Sequence, residues 1–418
     1  MNAAPFLPDA EIIAIGSEML TPSKVDTNSL WLTESLNALG VEVVRKTIVG
    51  DDRARLVETI RAAFAPGKII LITGGLGPTE DDVTRDAAAV ALGRTLVFRD
   101  DILLWLQERF ARFGRKMAEN NKRQAYIVEG AEILPNERGT APGQWIEHEQ
   151  MYIALLPGPP GELKPMFARE VVPRLEARLE KTFIRTLFYR VAGMGESDLD
   201  QLIAPVYTKY TNPVTTILAS AGDIQIHLRA RSGSADEAVA LLHEVGRKIE
   251  ALLGDRIYSR DGSPLEVIVG RMLRDRKATV AVAESCTGGM LGQRITSAPG
   301  SSDYFAGGFL TYTYAMKTAL LGVDPDMLAE HSAVSDPVAR AMADGARERT
   351  GATYAVSITG VAGPDGGTEE TPVGTAFIGL AGPNGTDARR FRFVGDRARI
   401  RGFAVQASLD LLRRRMIF

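Results

Sequence analysis

A serine and the only cysteine of the chain stand side by side in Ala283-Glu284-Ser285-Cys286-Thr287-Gly288-Gly289. The apolar run TVAVA before them reads as a strand, and the glycine pair opens a helix. A nucleophile on a strand-to-helix turn is exposed at a sheet edge. The free N–H groups of the following helix could hold an oxyanion there. Either side chain could attack. The thiol would gain acidity from the helix terminus, whereas the hydroxyl would need a base. Of the four histidines only His331 falls in the same part of the chain, in EHSAVSDP, where a loop or cap role explains it. Lys317, in TYTYAMK, is the other candidate base. A desolvated lysine can be neutral and accept a hydroxyl proton, and Ser–Lys pairs are a known variant of the triad logic. The plain alternatives are a solvated helix lysine and a small buried thiol.

Two glycine-rich stretches could cradle phosphate. In TGGLGPTEDDVT (73–84) the residues Gly74, Gly75 and Gly77 would let the backbone approach a ligand. Thr79 could cap the helix DDVTRDAAAVAL, and its N-terminus would attract an anion. Asp81 and Asp82 are hard oxygen donors for a divalent cation. The alternative is a simple turn whose acids complement the helix dipole. In TGVAGPDGG (359–367) the loop follows the strand TYAVSI, and Arg397 and Arg401 at the start of the last helix could contact the phosphate.

The elements that must carry these groups alternate. EIIAIG, VEVVRKTIV, KIILIT and MYIALL read as strands, and DTNSLWLTESLNALG and RLVETIRAAF as helices with Leu32, Leu36 and Leu39, and Leu56, Ile60 and Phe64, on one face. Asp26 or Thr27 would cap the first helix. This spacing predicts a parallel α/β sheet. Near residue 172 the texture changes to strand–helix, hairpin, helix, a small α+β module ending near Tyr258. A third unit opens at SRDGSPLEVIVGRML, where Ser263, Pro264 and Glu266 predict a capping box. The fold class is α/β in three domains: 1–172, 173–258 and 259–418. A length of 418 residues fits two or three domains, and a net charge of −3 gives no case for nucleic acid or an anionic membrane. One cysteine excludes an internal disulfide, and neither a signal peptide nor a membrane span is legible, so a cytoplasmic setting is expected.

The motifs carry a resemblance. GSEML (16–20), DTNS (26–29), TGGLGPTEDDVTRDA (73–87), NKRQA (121–125), GTAPG (139–143) and LPGPPGEL (156–163) resemble the molybdopterin-binding-like N-terminal domain of the CinA competence/damage-inducible family. That resemblance implies a metal-dependent ADP-ribose pyrophosphatase. Asp81 and Asp82 would sit at a divalent ion of the Mg, Mn or Co class. Thr73, Gly74, Gly75 and Gly77 would line the pyrophosphate, with Asp26, Asn28 and Glu162 at the rim. AESCTGG, GSSDYFAGGFLTYTYAMK, HSAVS, ITGVAGPDGG, PVGT and GDR resemble the family's C-terminal domain, similar to nicotinamide-mononucleotide deamidase. This implies Ser285 as nucleophile, Lys317 as base and Tyr312 in support. Thr287, Gly288, Gly289, Thr359, Gly360, Gly363, Gly366, Arg397 and Arg401 would bind the substrate. No cofactor is implied for this reaction. One departure is Tyr314, where the family often has an amide. The middle module resembles the family's KH-like domain but lacks a basic GXXG loop, since GMGE (193–196) is acidic. The implied protein is a bifunctional pyridine-nucleotide salvage enzyme acting on nicotinamide mononucleotide and ADP-ribose, a homodimer without direct nucleic-acid or membrane contact. Two alternatives remain: a non-catalytic nucleotide-binding N-terminal domain, and a competence-related interaction protein.

Overall fold

A computed structural model of the chain describes residues 9–112, 114–220 and 222–417. Its backbone groups into two compact units, Met1–Arg185 with Arg231–Val239 and Thr186–Ala230 with Ala240–Phe418. The second unit holds most of the middle module together with the C-terminal domain.

The first unit holds a six-stranded sheet in the order Glu42–Val49, Asp9–Ile15, Ile69–Thr73, Met151–Leu156, Gly143–His148, Glu132–Leu134. The first four strands are parallel, as the alternation predicts. The last two are antiparallel additions that the pattern did not disclose. Only Glu149 and Gln150, both with positive φ, separate Gly143–His148 from Met151–Leu156. A two-residue connection can make only a hairpin. The central strand Ile69–Thr73 is buried on both faces, which explains its unbroken apolar run. Ile69 and Leu71 pack with Ile12, Leu32, Leu36 and Phe167 on one face, and Ile70 and Ile72 with Ile13, Leu56 and Ile60 on the other. Asp26 caps the helix Thr27–Ala38 by accepting from the Ser29 amide at 2.9 Å.

The middle module runs Phe183–Ala192, Glu196–Tyr207, Val214–Ser220, Asp223–Ser232, Ala235–Leu253, Ile257–Ser259, strand–helix–hairpin–helix–strand, with an antiparallel hairpin at 214–232. The C-terminal domain has a five-stranded sheet ordered Phe305–Leu310, Val280–Glu284, Tyr354–Gly360, Thr375–Gly382, Gly385–Arg392. The first three strands are parallel and the last two antiparallel. The helices Leu265–Asp275, Met290–Thr296 and Arg397–Ile417 cover one face through Leu265, Val269, Leu291, Ile295 and Leu409. Tyr314–Leu321, Pro325–His331 and Asp336–Thr350 cover the other through Leu321, Leu328, Val338 and Met342. The expected capping box does not form. The helix begins at Leu265, the Ser263 amide donates to Asp261, and Glu266 is held by Arg294 at 2.8 Å. A charge-assisted pair outcompetes a neutral cap.

Candidate active site

Strands Val280–Glu284, Phe305–Leu310 and Tyr354–Gly360 are adjacent and parallel, so their C-terminal ends meet at one edge. Ligands of open α/β sheets bind at such edges. That edge joins the SCTGG turn, the Thr311–Tyr312 segment and the second glycine loop. Ser285 prolongs its strand, its amide donating to Ile358 O at 3.0 Å. Thr313 caps the helix Tyr314–Leu321 by accepting from the Met316 amide, and this helix delivers Lys317. The Lys317 amine lies 3.2 Å from Ser285 Oγ and donates to Thr311 O at 2.7 Å. Lys317 is 1% exposed and Ser285 8%. Burial pushes the Lys317 ammonium from its ordinary value down to about 8. Burial pushes the neighbouring Cys286 thiol up to about 11. Lys317 is therefore no solvated surface lysine, and Cys286 is a poor thiolate.

The helix Met290–Thr296 does not offer the open N-terminus expected of it. Glu284, itself buried, accepts from the amides of Gly289 (3.1 Å), Leu291 (3.0 Å) and Gly292 (2.8 Å). The donors that would have faced an oxyanion are held by this carboxylate. Glu284 was missed by sequence reasoning. Its only signal is an acid at the last position of an otherwise apolar strand, directly before the nucleophile.

Tyr312 is likewise not a partner of the pair. Its side chain is 61% exposed, and its hydroxyl accepts from Arg397 at 3.2 Å. Arg397 also donates to Gly363 O at 2.8 Å, which ties Tyr312 to the second glycine loop. Arg401 donates to Thr287 O at 2.5 Å, and its buried Nε has no partner among the described residues. The two arginines and the SCTGG turn are thus brought together. Gly363 has φ +76°, and a Cβ there would meet Val373 Cγ1 at 2.6 Å, so the loop requires glycine. Thr359 is buried and commits its hydroxyl to Ala333 O at 2.6 Å, anchoring the HSAVS segment. Gly360 closes its strand beside Thr375, whereas Gly366 lies on the exposed part of the loop. Gly288 is exposed and Gly289 half-buried in the turn. The hydroxyls of Thr287, Thr311 and Thr375 are buried without a partner among the described residues.

The first unit holds a separate crevice of about 350 Å³. It too opens at the C-terminal ends of parallel strands. Gly74, Gly75, Gly77, Asp81, Asp82 and Glu162 line it, as expected, joined by Glu18, Asp51 and Thr140. Thr73 is buried at the end of its strand. Asp82 is bonded to its own loop. Its carboxylate accepts from the amides of Gly77 (2.7 Å) and Thr79 (2.8 Å) and from the Thr79 hydroxyl (2.5 Å). The Thr84 hydroxyl donates to Gly74 O at 2.8 Å, and buried Arg85 donates to Leu76 O (2.6 Å) and Gly77 O (2.9 Å). Much of TEDDVTRD therefore serves to lock the loop. The helix begins at Thr84, so Thr79 does not cap it. Asp26 is spent as the cap of its own helix. Asn28 donates to Gly158 O at 2.7 Å, its Oδ1 unpartnered among the described residues, and Glu162 accepts from Asn136 at 2.7 Å. Among the described residues no three of His, Cys, Asp and Glu gather into a group that could hold a metal ion. The donor set thus fits a cation only if ligand oxygens supply most of its coordination, with Asp81 and Glu18 as exposed carboxylates of the lining.

Comparison with known proteins agrees with this architecture. A probable molybdopterin binding domain matches residues 11–177, the damage-inducible protein CinA KH domain matches 186–259, and the CinA C-terminal domain matches 262–416. A CinA-like protein of Solibacter usitatus is 63% identical over 98% of both chains. A CinA-like protein of Koribacter versatilis is 49% identical over 98% of this chain and all of its own. A putative competence-damage inducible protein of Symbiobacterium thermophilum is 42% identical over 98% of this chain and 99% of its own. With three domain models in the expected order and that identity along nearly the whole length, the chain belongs to the CinA family.

Proposed function

We propose that the C-terminal domain is a nicotinamide-nucleotide amidohydrolase that converts nicotinamide mononucleotide to nicotinate mononucleotide and ammonia. The observation that carries this reading is the buried amine of Lys317 lying 3.2 Å from Ser285 Oγ. With one N–H directed at Thr311 O, the neutral amine can turn its lone pair to the serine proton. Ser285 Oγ then attacks the amide carbon. Lys317 returns the proton to the departing ammonia, and water clears the acyl-serine by the same route. Because Glu284 occupies the helix terminus, the oxyanion would be held by donors other than the amides of Gly289, Leu291 and Gly292. Arg397 and Arg401 flank the turn where a ribose phosphate would lie. Ammonia release should vanish in Ser285→Ala and persist in Cys286→Ala. Retained release in the first variant, or its loss only in the second, would sink the assignment.

For the first unit we propose a metal-dependent ADP-ribose pyrophosphatase, supported by the glycine crevice and its acidic rim. A divalent ion carried by the pyrophosphate would neutralise its oxygens beside Asp81. The residues themselves shape the loop and would orient the diphosphate for attack by a water molecule on phosphorus. The second reading, a binding domain without hydrolysis, is favoured by the commitment of Asp82 to the loop. The cleavage assay decides: Asp81→Ala should abolish ADP-ribose cleavage without lowering the melting temperature, and wild-type protein inert with each of Mg, Mn and Co would leave binding alone. The expected homodimer and the absence of direct nucleic-acid contact belong to the same proposal.

A further inference from the structure

Phe391, Phe393 and Phe403 stack in series, with ring centroids 5.5 and 5.6 Å apart and planes within 10° and 6° of parallel. Phe391 lies on the edge strand Gly385–Arg392 and Phe403 on the helix Arg397–Ile417. Their rings line a cavity of about 530 Å³, a volume suited to one small molecule. Met194 of the turn before Glu196–Tyr207 also lines it, as do Arg256, Arg389 and Gln406. Arg414 reaches the cavity too, but Asp410 (2.8 Å) and Asp255 neutralise it. Arg256 and Arg389 are exposed and make no ion pair among the described residues. The wall therefore carries two uncompensated guanidinium groups beside an aromatic surface. Gln406 is buried at 3% exposure. Its Oε1 accepts from Arg294 at 3.0 Å, and its Nε2 has no partner among the described residues. An unmade hydrogen bond on a buried amide is costly, and a ligand acceptor would relieve it.

We propose that this cavity is a third ligand site, one that binds a mononucleotide. The base would pack on the phenylalanine surface, where a flat ring buries apolar area without ordering many torsions. The phosphate would lie on Arg256 and Arg389, whose planar forks match its oxygens. None of these residues belongs to the serine–lysine site or to the glycine crevice, so the inference stands apart from both proposed activities.

The test titrates the full-length protein with AMP, GMP, CMP and UMP, with adenosine and inorganic phosphate as half-ligands. Photolabelling with 8-azido-AMP and peptide mapping then locates the site. At least one mononucleotide should bind at least about tenfold more tightly than either half-ligand. Label should fall within 193–195 or 389–407. Arg389→Glu and Arg256→Glu change exposed side chains and should each weaken binding at least about tenfold while the melting temperature holds. Ser285→Ala should bind as the wild type does. Failure of all four mononucleotides to bind overturns the proposal. So does label confined to 74–82 or 285–289, or unchanged affinity in both charge reversals.

Discussion

Lys317 carries opposite consequences for reactivity and stability. Its pKa falls from 10.5 to about 8 through burial, so the amine becomes available as a base as pH rises through about 8. Rates limited by Ser285 attack should therefore climb across that range, and a profile flat from pH 6 to 9 would remove Lys317 as the base. For stability, the unfolded chain holds this proton up to about 10.5 and the folded chain only to about 8. Below pH 8 the full cost of burying the charge is present, and it is relieved as pH rises between the two values. Lys317→Met should thus be inactive yet more stable at pH 7 by about 1–3 kcal/mol, read by denaturant unfolding. Cys286 shows how a rare residue misleads. The choice between thiol and hydroxyl was open from the residue types, and what separates them in the fold is a buried thiol pushed up to about 11 beside a hydroxyl within reach of an amine.

At the scale of elements, each candidate site is held by side chains that bond the peptide groups of its turn. Glu284 satisfies three amides at the start of Met290–Thr296. Glu284→Ala should cost about 2–4 kcal/mol by leaving those donors bare. It should also lower kcat more than it raises KM, since the turn that aims Ser285 would loosen. A kcat equal to wild type would confine Glu284 to stability. In the first unit Asp82, Thr84 and Arg85 perform the same service for the glycine loop. Gly75 has φ +62° with Thr84 Oγ1 directly beside it, so Gly75→Ala should lower the melting temperature and open the loop together. Asp82→Ala should destabilise as well, whereas Asp81→Ala should not. Equal melting temperatures for these two aspartate variants would contradict the division of roles. The motif TGGLGPTEDDVTRD was legible as a glycine loop between a strand and a helix, but not which of its polar residues line the crevice and which bond the loop. Spacing along a chain does not reveal which side chains turn inward to bond the loop's own amides.

For the whole molecule, two candidate sites at the C-terminal edges of two sheets predict separable chemistry. Ser285→Ala should end ammonia release and leave ADP-ribose cleavage untouched, and Asp81→Ala should do the reverse. Loss of both activities in either variant would point to one shared site. Composition, strand–helix alternation and the quoted motifs determined the domain order and the family, since burial patterns and glycine turns are local properties written in consecutive residues. They also placed Ser285 and Lys317 on the right elements. The antiparallel strands beyond Met151–Leu156, the displacement of Tyr312 toward Arg397, and the capture of a helix terminus by Glu284 were decided only in the tertiary structure. Each depends on which hydrogen-bonding groups meet once distant segments are packed. A buried donor takes the strongest acceptor within reach, and only the fold says which one that is.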